Sequence, residues 1–319
     1  MPEVRSASGS RRTWVKKGLI FAASGQSGWM NSHAQVPTVW QKDQDTLRIF
    51  FSTRPQPGLS LTTFLDVSAS DPSRILYEHD CPILELGKPG TFDEHGIMPS
   101  CIVEHGGRIY LYYSGWSRCV GVPYNNLTGL AVSDDGENFT RVCEGPVLTR
   151  TPLEPFSATS PFVLKHDGRW LAWYCSGIGW QEIDGKMEHQ YDIKFADSDD
   201  GLWWRQAANV VLRCREEQEA LTRPTVIEHE GRFHMWFCHR GMKDFRDGAT
   251  SYHIGYASSI DLASWTRADE LAGIGLSAKG WDSLALAYPY VIKVAGKLMM
   301  FYNGNGFGQS GFGYAEWMG

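Results

Sequence analysis

The sequence predicts an all-β fold, a five-bladed β-propeller, and three observations predict it. First, a proline opens an apolar run five times along the chain, and each time a charged turn and an aromatic-rich run follow. The paired runs are Pro37-Thr-Val-Trp with Leu47-Arg-Ile-Phe-Phe, Pro99-Ser-Cys-Ile-Val with Arg108-Ile-Tyr-Leu-Tyr-Tyr, Pro161-Phe-Val-Leu with Arg169-Trp-Leu-Ala-Trp-Tyr, Pro224-Thr-Val-Ile with Arg232-Phe-His-Met-Trp-Phe, and Pro289-Tyr-Val-Ile with Lys297-Leu-Met-Met-Phe-Tyr. Second, the prolines stand 62, 62, 63 and 65 residues apart, a period that suits radial repetition of one small β unit. Third, the fifth unit stops at its third strand, Gly311-Phe-Gly-Tyr-Ala-Glu-Trp317, while the N-terminal segment Trp14-Val-Lys-Lys-Gly-Leu-Ile-Phe21 reads as the missing outer strand. Pairing the two chain ends would close the ring and leave no open ladder edge.

Each unit continues past its two core strands. Third strands are read at Leu127-Thr-Gly-Leu-Ala-Val, Tyr191-Asp-Ile-Lys-Phe-Ala and Tyr252-His-Ile-Gly-Tyr-Ala. The turns Ser133-Asp-Asp-Gly136 and Ser198-Asp-Asp-Gly201 then lead to outer strands, with Trp204 and Trp265 at their starts, because Asp and Gly supply the hydrogen bonds and positive φ of a tight hairpin. This topology puts the long connections on one face. They are the loops at 115–126, 177–191 and 240–252 and the inter-unit segments at 28–37, 90–99 and 279–289, and chemistry is expected there.

Five repeats closing on one axis need the whole length, so residues 1–319 are read as one domain, with 1–12 flexible. A net charge of -6, pI near 5.9 and scattered Lys and Arg exclude the basic footprint of a nucleic-acid binder. No signal-peptide core or 18-residue apolar run is present, so no membrane partner is expected and a cytoplasmic location is. Seven cysteines without a C-x-x-C pair, most of them inside apolar runs, read as buried free thiols.

Candidate functional residues cluster on the long-loop face. Gly90-Thr-Phe-Asp-Glu-His-Gly-Ile-Met-Pro99 brings two carboxylates and a histidine toward the axis, so Asp93 and Glu94 are general acid or base candidates and His95 a relay or hydroxyl ligand. In the first unit Asn31, His33 and Gln35 suit sugar hydroxyls. The charged loop Cys238-His-Arg-Gly-Met-Lys-Asp-Phe-Arg-Asp-Gly248 offers His239, Asp244 and a further acid, Asp247; Arg240 and Arg246, with Arg223 before its proline, suit a carboxylate or phosphate clamp. Lys279-Gly-Trp-Asp-Ser283 parallels Gly90-Thr-Phe-Asp, so Asp282 is expected in the same funnel as Asp93. Trp29, Trp116, Trp180 and Trp281 offer flat faces for sugar rings, whereas Trp170, Trp173 and Trp236 are read as packing between units. Gly304-Asn-Gly-Phe-Gly-Gln-Ser-Gly311 lacks a following helix and reads as a hairpin loop. His229, His234 and His239 alternate faces of a strand and cannot share a metal.

These repeats, with Phe-Asp-Glu-His-Gly-Ile-Met-Pro99 and Ser-His-Ala-Gln-Val-Pro37, resemble the five-bladed propeller glycoside hydrolases of the furanosidase superfamily, which includes families 43, 32, 68, 117 and 130. Phe92 to Pro99, Thr222-Arg-Pro-Thr-Val226 and Tyr302-Asn-Gly-Asn-Gly306, with Asn303 as a binding candidate, look like a glycosyl-hydrolase-like group of bacterial polysaccharide contexts. The resemblance implies hydrolysis or transfer at a glycosidic bond by a carboxylate pair. Family 43 enzymes place carboxylates immediately before the repeat prolines, but here those residues are Val36, Met98, Ser160, Arg223 and Tyr288. Trp29-Met-Asn31 matches the start of the family 32 Trp-Met-Asn-Asp-Pro motif, with Ser32-His33 in place of its nucleophile and proline.

The carboxylates of such an enzyme would therefore come from Asp93, Glu94, Asp282 or the Asp244/Asp247 loop. The expectation is a glycosidase-like enzyme on a small or activated saccharide, the alternatives being a catalytically silent sugar-binding propeller and a phosphorylase or transferase. No cofactor is expected. Relatives of this superfamily sometimes hold axial calcium, but no acidic cluster of ligand spacing supports it here.

Overall fold

The computed structural model describes residues 13–25, 28–246 and 248–319. Residues 1–12 and the candidate acid Asp247 lie outside the described residues. Twenty strands account for nearly all regular structure. The N-terminal strand β1 (Thr13–Phe21) is followed by four consecutive groups. The first is β2 (Ser32–Gln41), β3 (Thr46–Arg54), β4 (Leu61–Ser68) and β5 (Ile75–Glu78); the second is β6 (Gly96–His105), β7 (Arg108–Arg118), β8 (Tyr124–Ser133) and β9 (Thr140–Arg141). The third is β10 (Ala158–His166), β11 (Arg169–Ile183), β12 (Lys186–Ser198) and β13 (Trp204–Leu212); the fourth is β14 (Glu219–His229), β15 (Arg232–Gly241), β16 (His253–Ser259) and β17 (Thr266–Arg267). The last strands are β18 (Ala287–Val294), β19 (Lys297–Asn303) and β20 (Phe312–Met318). Within each group successive strands pair antiparallel, and β1 pairs antiparallel with β20. No helix among the described residues is long and apolar enough to cross a membrane.

The prolines all fall in the first strand of their group, β2, β6, β10, β14 and β18. These five strands pack in succession, β2 on β6, β6 on β10, β10 on β14, β14 on β18, and β18 on β2. A proline has no N–H to give the ladder, so each of these strands breaks register at that point. In four of them the residue before the proline adopts left-handed φ: Val36 at 52°, Ser160 at 49°, Arg223 at 52° and Tyr288 at 56°. That conformation costs a non-glycine residue about 1–3 kcal/mol and persists only where surroundings over-determine it.

The compensation is a hydrogen bond from the turned-out amide to a side chain of the preceding sheet. Val36 N donates to Asn303 Oδ1 at 2.7 Å, Ser160 N to Ser114 Oγ at 3.0 Å, Arg223 N to Cys175 Sγ at 3.1 Å and Tyr288 N to Cys238 Sγ at 2.8 Å. The four acceptors hold one position in the repeat, the residue after Tyr302, Tyr113, Tyr174 and Phe237. The fifth such position is Ser52, whose hydroxyl is buried without a partner, and there the facing Met98 keeps ordinary φ.

The tight turns form as their residues dictate. Ser133 Oγ accepts from Gly136 N at 2.9 Å, and Asp135 Oδ1 from Glu137 N and Asn138 N at 2.8 Å each. Ser198-Asp-Asp-Gly201 repeats the pattern, and so does Ser259-Ile-Asp-Leu262, where Leu262 takes φ 63° in the place of a glycine. Trp170, Trp173 and Trp236 are fully buried, as expected of packing residues.

Two expectations need correction. The segments 177–191 and 115–126 are hairpins, not open loops, since β11 runs to Ile183 and β12 starts at Lys186, with one register shift at Gly177/Gly179, and β7 runs to Arg118 and β8 starts at Tyr124. The cysteines are all free, but only Cys101, Cys175 and Cys238 are buried; Cys81 and Cys119 are exposed, and Cys143 and Cys214 are half-buried. The latter four sit at strand ends or in loops, where no neighbouring sheet covers them.

Asn303 also donates to Ala34 O at 2.6 Å and Gly311 O at 2.9 Å. Asn303→Leu should therefore lower stability by about 3 kcal/mol or more, because three buried backbone groups lose partners. Ser52→Ala, at the equivalent position, should change it by less than about 0.5 kcal/mol. Urea midpoints of the two variants check this; similar losses would show that the cross-sheet bond is not what distinguishes the sites.

Candidate functional site

A cavity of about 360 Å³ opens where the five proline-bearing strands converge. The left-handed turn before four of the prolines swings that residue's side chain out of ladder alternation and toward this space. All five pre-proline residues line it: Val36, Met98, Ser160, Arg223 and Tyr288. The walls add Tyr124, Tyr191 and Tyr252, the faces of Trp116, Phe245 and Phe307, and the polar groups of Gln35, Asn126, Thr159 and Thr222. Among the described residues no Asp or Glu lines the cavity, whereas four arginines do: Arg54, Arg223, Arg240 and Arg246.

The arginines differ in their partners. Arg223 is buried at the floor, with Nη1 donating to Pro99 O at 2.7 Å and Nη2 to Pro37 O at 3.2 Å and Thr38 Oγ1 at 2.7 Å. Arg240 is buried against the Phe245 ring at 3.7 Å and donates to Tyr252 Oη, Gly241 O and His189 O. Arg54 is half-buried and gives Nε to Gln35 Oε1 at 3.2 Å. Only Arg246 has a carboxylate, Glu188, at 2.8 Å.

The carboxylates singled out in the sequence lie elsewhere. Asp93 is buried between Tyr113 Oη at 3.0 Å and Arg141 Nη2 at 2.8 Å. Asp282 is its counterpart, as the sequence parallel suggests, held by Tyr302 Oη at 3.1 Å and Lys16 Nζ at 2.6 Å. Neither lines the cavity. Both belong to a repeated latch in which a cation, here from the outer strand, and a core-strand tyrosine hold the carboxylate of the segment entering the sheet. Glu154 completes it in the third sheet with Tyr174 and Lys194, and Glu219 pairs with Arg267 in the fourth, where the guanidinium lies 5.2 Å over Phe237 instead of meeting a tyrosine hydroxyl.

The remaining candidates divide similarly. Gln35, Trp116, Arg223, Arg240 and Arg246 reach the cavity. Glu94 accepts from Gly90 N, and His95 lies 3.6 Å from Glu94 beside Trp116. His33 stands next to Arg54, and burial first, then that guanidinium, lowers its pKa to about 4. Trp29 donates to Asp80 O, Asn31 to Pro55 O, and Asn303 serves the backbone as described. His239 faces Glu219 at 3.7 Å, and the Asp244 carbonyl accepts from Gly248 N. Trp281 stacks on Tyr302 and Trp180 on His189, so neither presents a free face. Sequence reasoning missed Arg54 and the four tyrosines; aligning the repeats on their prolines would have marked Tyr288, but Arg54 ends a strand without any motif around it.

Two Mycobacterium tuberculosis sequences, the uncharacterized proteins MT1551 and Rv1502, are each 36% identical to this chain over 303 residues, covering 95% of it and 98% of their own length. The chain belongs to their family. No family model matches it. Among solved structures, the BT0996 protein in a complex with RGII superposes with a TM-score of 0.70 at 17% identity, over 96% of this chain and 91% of that one. A glycoside hydrolase does so at 0.71 and 17% over the same shares. The Bombyx mori GH32 β-fructofuranosidase BmSUC1 in complex with sucrose reaches 0.60 at 17%, over 96% of this chain and 61% of that one. The chain therefore shares its fold with these glycoside hydrolases.

The latch geometry makes Asp93→Asn a stability variant. Removing the charge leaves Arg141 half-served in a buried setting, so the variant should lose about 2–3 kcal/mol; an unchanged urea midpoint would remove Asp93 from the latch. His189 gives a second test. It is buried against Trp180 at 4.0 Å with neither ring nitrogen hydrogen-bonded, and burial, then Arg240, lowers its pKa to about 3. The unfolded chain takes up this proton below about pH 6.5 and the folded chain does not, so stability present above that pH is lost on acidification at about 1.4 kcal/mol per unit. His189→Leu should flatten the stability profile between pH 6.5 and 4, and a wild-type slope retained in the variant would contradict it.

Proposed function

We propose that this protein binds a saccharide in the central cavity of a five-bladed propeller and does not cleave it through a carboxylate pair. The observation that carries the reading is the ring of five pre-proline side chains, which converge on the cavity and include no carboxylate. Aromatic faces beside hydroxyl and amide groups are what sugar rings require, and the volume falls within the roughly 300–1,000 Å³ usual for small-molecule sites. The sucrose-bound BmSUC1 and the RGII-bound BT0996 protein lend the same fold to carbohydrate ligands.

The five-bladed, closed, single-domain reading of residues 1–319 is supported by the cyclic packing of the proline strands and by the pairing of β1 with β20. Seven unpaired thiols favour a reducing, cytoplasmic setting. A second reading, a glycosidase or phosphorylase working with one acid, is favoured by a single feature: Arg246 lines the cavity and the next residue is Asp247.

A mass-spectrometric turnover screen against furanosides, pyranosides and nucleotide sugars, with and without phosphate, run beside thermal-shift binding, separates the readings. Thermal stabilisation by a sugar without product is the expected result. A product that disappears in Asp247→Asn would replace binding with catalysis, and phosphate dependence would make the enzyme a phosphorylase.

A further inference from the structure

We infer that the saccharide is anionic, carrying a phosphate ester or a carboxylate that is received between Arg54 and Arg240 beside the Tyr288 hydroxyl. This rests on the cavity being a saccharide site and goes on to name the ligand class. Three guanidiniums, Arg54, Arg223 and Arg240, line the cavity, and no carboxylate among the described residues pairs with any of them. Arginine does not neutralise itself by losing a proton, so a cavity with this lining keeps an excess of positive charge until an anion enters.

The hydrogen bonds distinguish structural from receptive arginines. Arg223 directs three of its four Nη hydrogens to the carbonyls of Pro99 and Pro37 and to Thr38, which fixes it as the floor of the site. Arg240 is held by Tyr252, Gly241 and His189 through one donor on each nitrogen, and each of its terminal nitrogens keeps a second N–H. Arg54 uses Nε alone, toward Gln35, and both terminal nitrogens remain without a partner among the described residues. That is the planar fork which receives two oxygens of a carboxylate or phosphate side by side.

Tyr288 joins the two arginines. It lines the cavity with both of them, and its ring meets Tyr252 at 5.4 Å. Tyr252 in turn accepts from Arg240 Nε. An oxyanion seated there would have donors from the first, fourth and fifth sheets, while the sugar ring would lie against the aromatic walls. Neighbouring His33 is neutral at pH 7, so the positive charge of the site is that of its arginines.

The test uses the full chain and isothermal titration of neutral hexoses, their 1- and 6-phosphates, the corresponding uronates and inorganic phosphate, each with wild type, Arg54→Gln and Arg54→Lys. Support would be at least tenfold tighter binding of one anionic sugar than of its neutral parent, a preference that Arg54→Gln erases, that Arg54→Lys keeps in part, and that falls with added salt. Whether phosphates or uronates show it identifies the oxyanion. Equal binding of the neutral parent would overturn the inference and leave the saccharide reading standing. Binding of inorganic phosphate with no sugar bound, or no binding at all, would overturn both. An unchanged melting temperature in Arg54→Gln separates lost recognition from lost folding.

Discussion

The hydrogen bond that four of the five pre-proline amides make to the preceding sheet is the constraint on which the rest depends. Proline interrupts the ladder of the strand nearest the axis, and the residue before it turns left-handed at a cost of about 1–3 kcal/mol. The bond to Asn303, Ser114, Cys175 or Cys238 offsets that cost and ties one sheet to the next. The same turn rotates the side chain out of alternation and into the cavity. One local conformation thus joins neighbouring sheets and selects the residues that meet a ligand, so the chemistry of the cavity is written at five positions spaced like the prolines.

Asp93 and Asp282 show how the same residue type serves an opposite end. Both stand in segments that enter a proline strand from the long-loop face, which is where a catalytic carboxylate would be sought. Their charge is instead consumed by a cation from the outer strand and a tyrosine from the core strand, so each binds the inner and outer parts of its sheet together. A carboxylate so engaged has little freedom to shuttle a proton, and its distance from the cavity lining leaves no reacting bond within reach.

What the sequence made legible was local and repeated. Prolines, aromatic runs and the Ser-Asp-Asp-Gly turns are short-range signals, and the structure realises each one; even the parallel between Asp93 and Asp282 survives as a shared latch. What escaped was set by partners far along the chain. Arg141 lies 48 residues from Asp93, and Lys16 lies 266 from Asp282, so their pairing is visible only once the sheets are assembled. Strand alternation would turn Asn31, His33 and Gln35 to one side, but the register shifts at Ser32/Gln35 and Gln35/Thr38 void that rule, and of the three Gln35 alone lines the cavity. Arg54 had no motif to announce it, since an arginine closing an apolar strand is ordinarily a solvated end.

The arginines also explain why rigidity and recognition coincide in this cavity. A guanidinium free to swing would lose conformational entropy on meeting an anion and would sample solvent in between. Arg223 and Arg240 are already fixed by backbone carbonyls, which accept their hydrogen bonds without neutralising their charge. Their positive field is therefore built in advance, at a folding cost offset by the cross-sheet bonds around them, and it is strongest where water is least able to screen it. Val36, Met98, Ser160 and Tyr288 occupy the other pre-proline positions without adding a negative charge. A single carboxylate at any one of these four places would stand in the cavity with the floor arginine and weaken that field, so the absence of acid from the ring and the presence of guanidiniums without a carboxylate partner are two sides of one design for binding a negatively charged ligand.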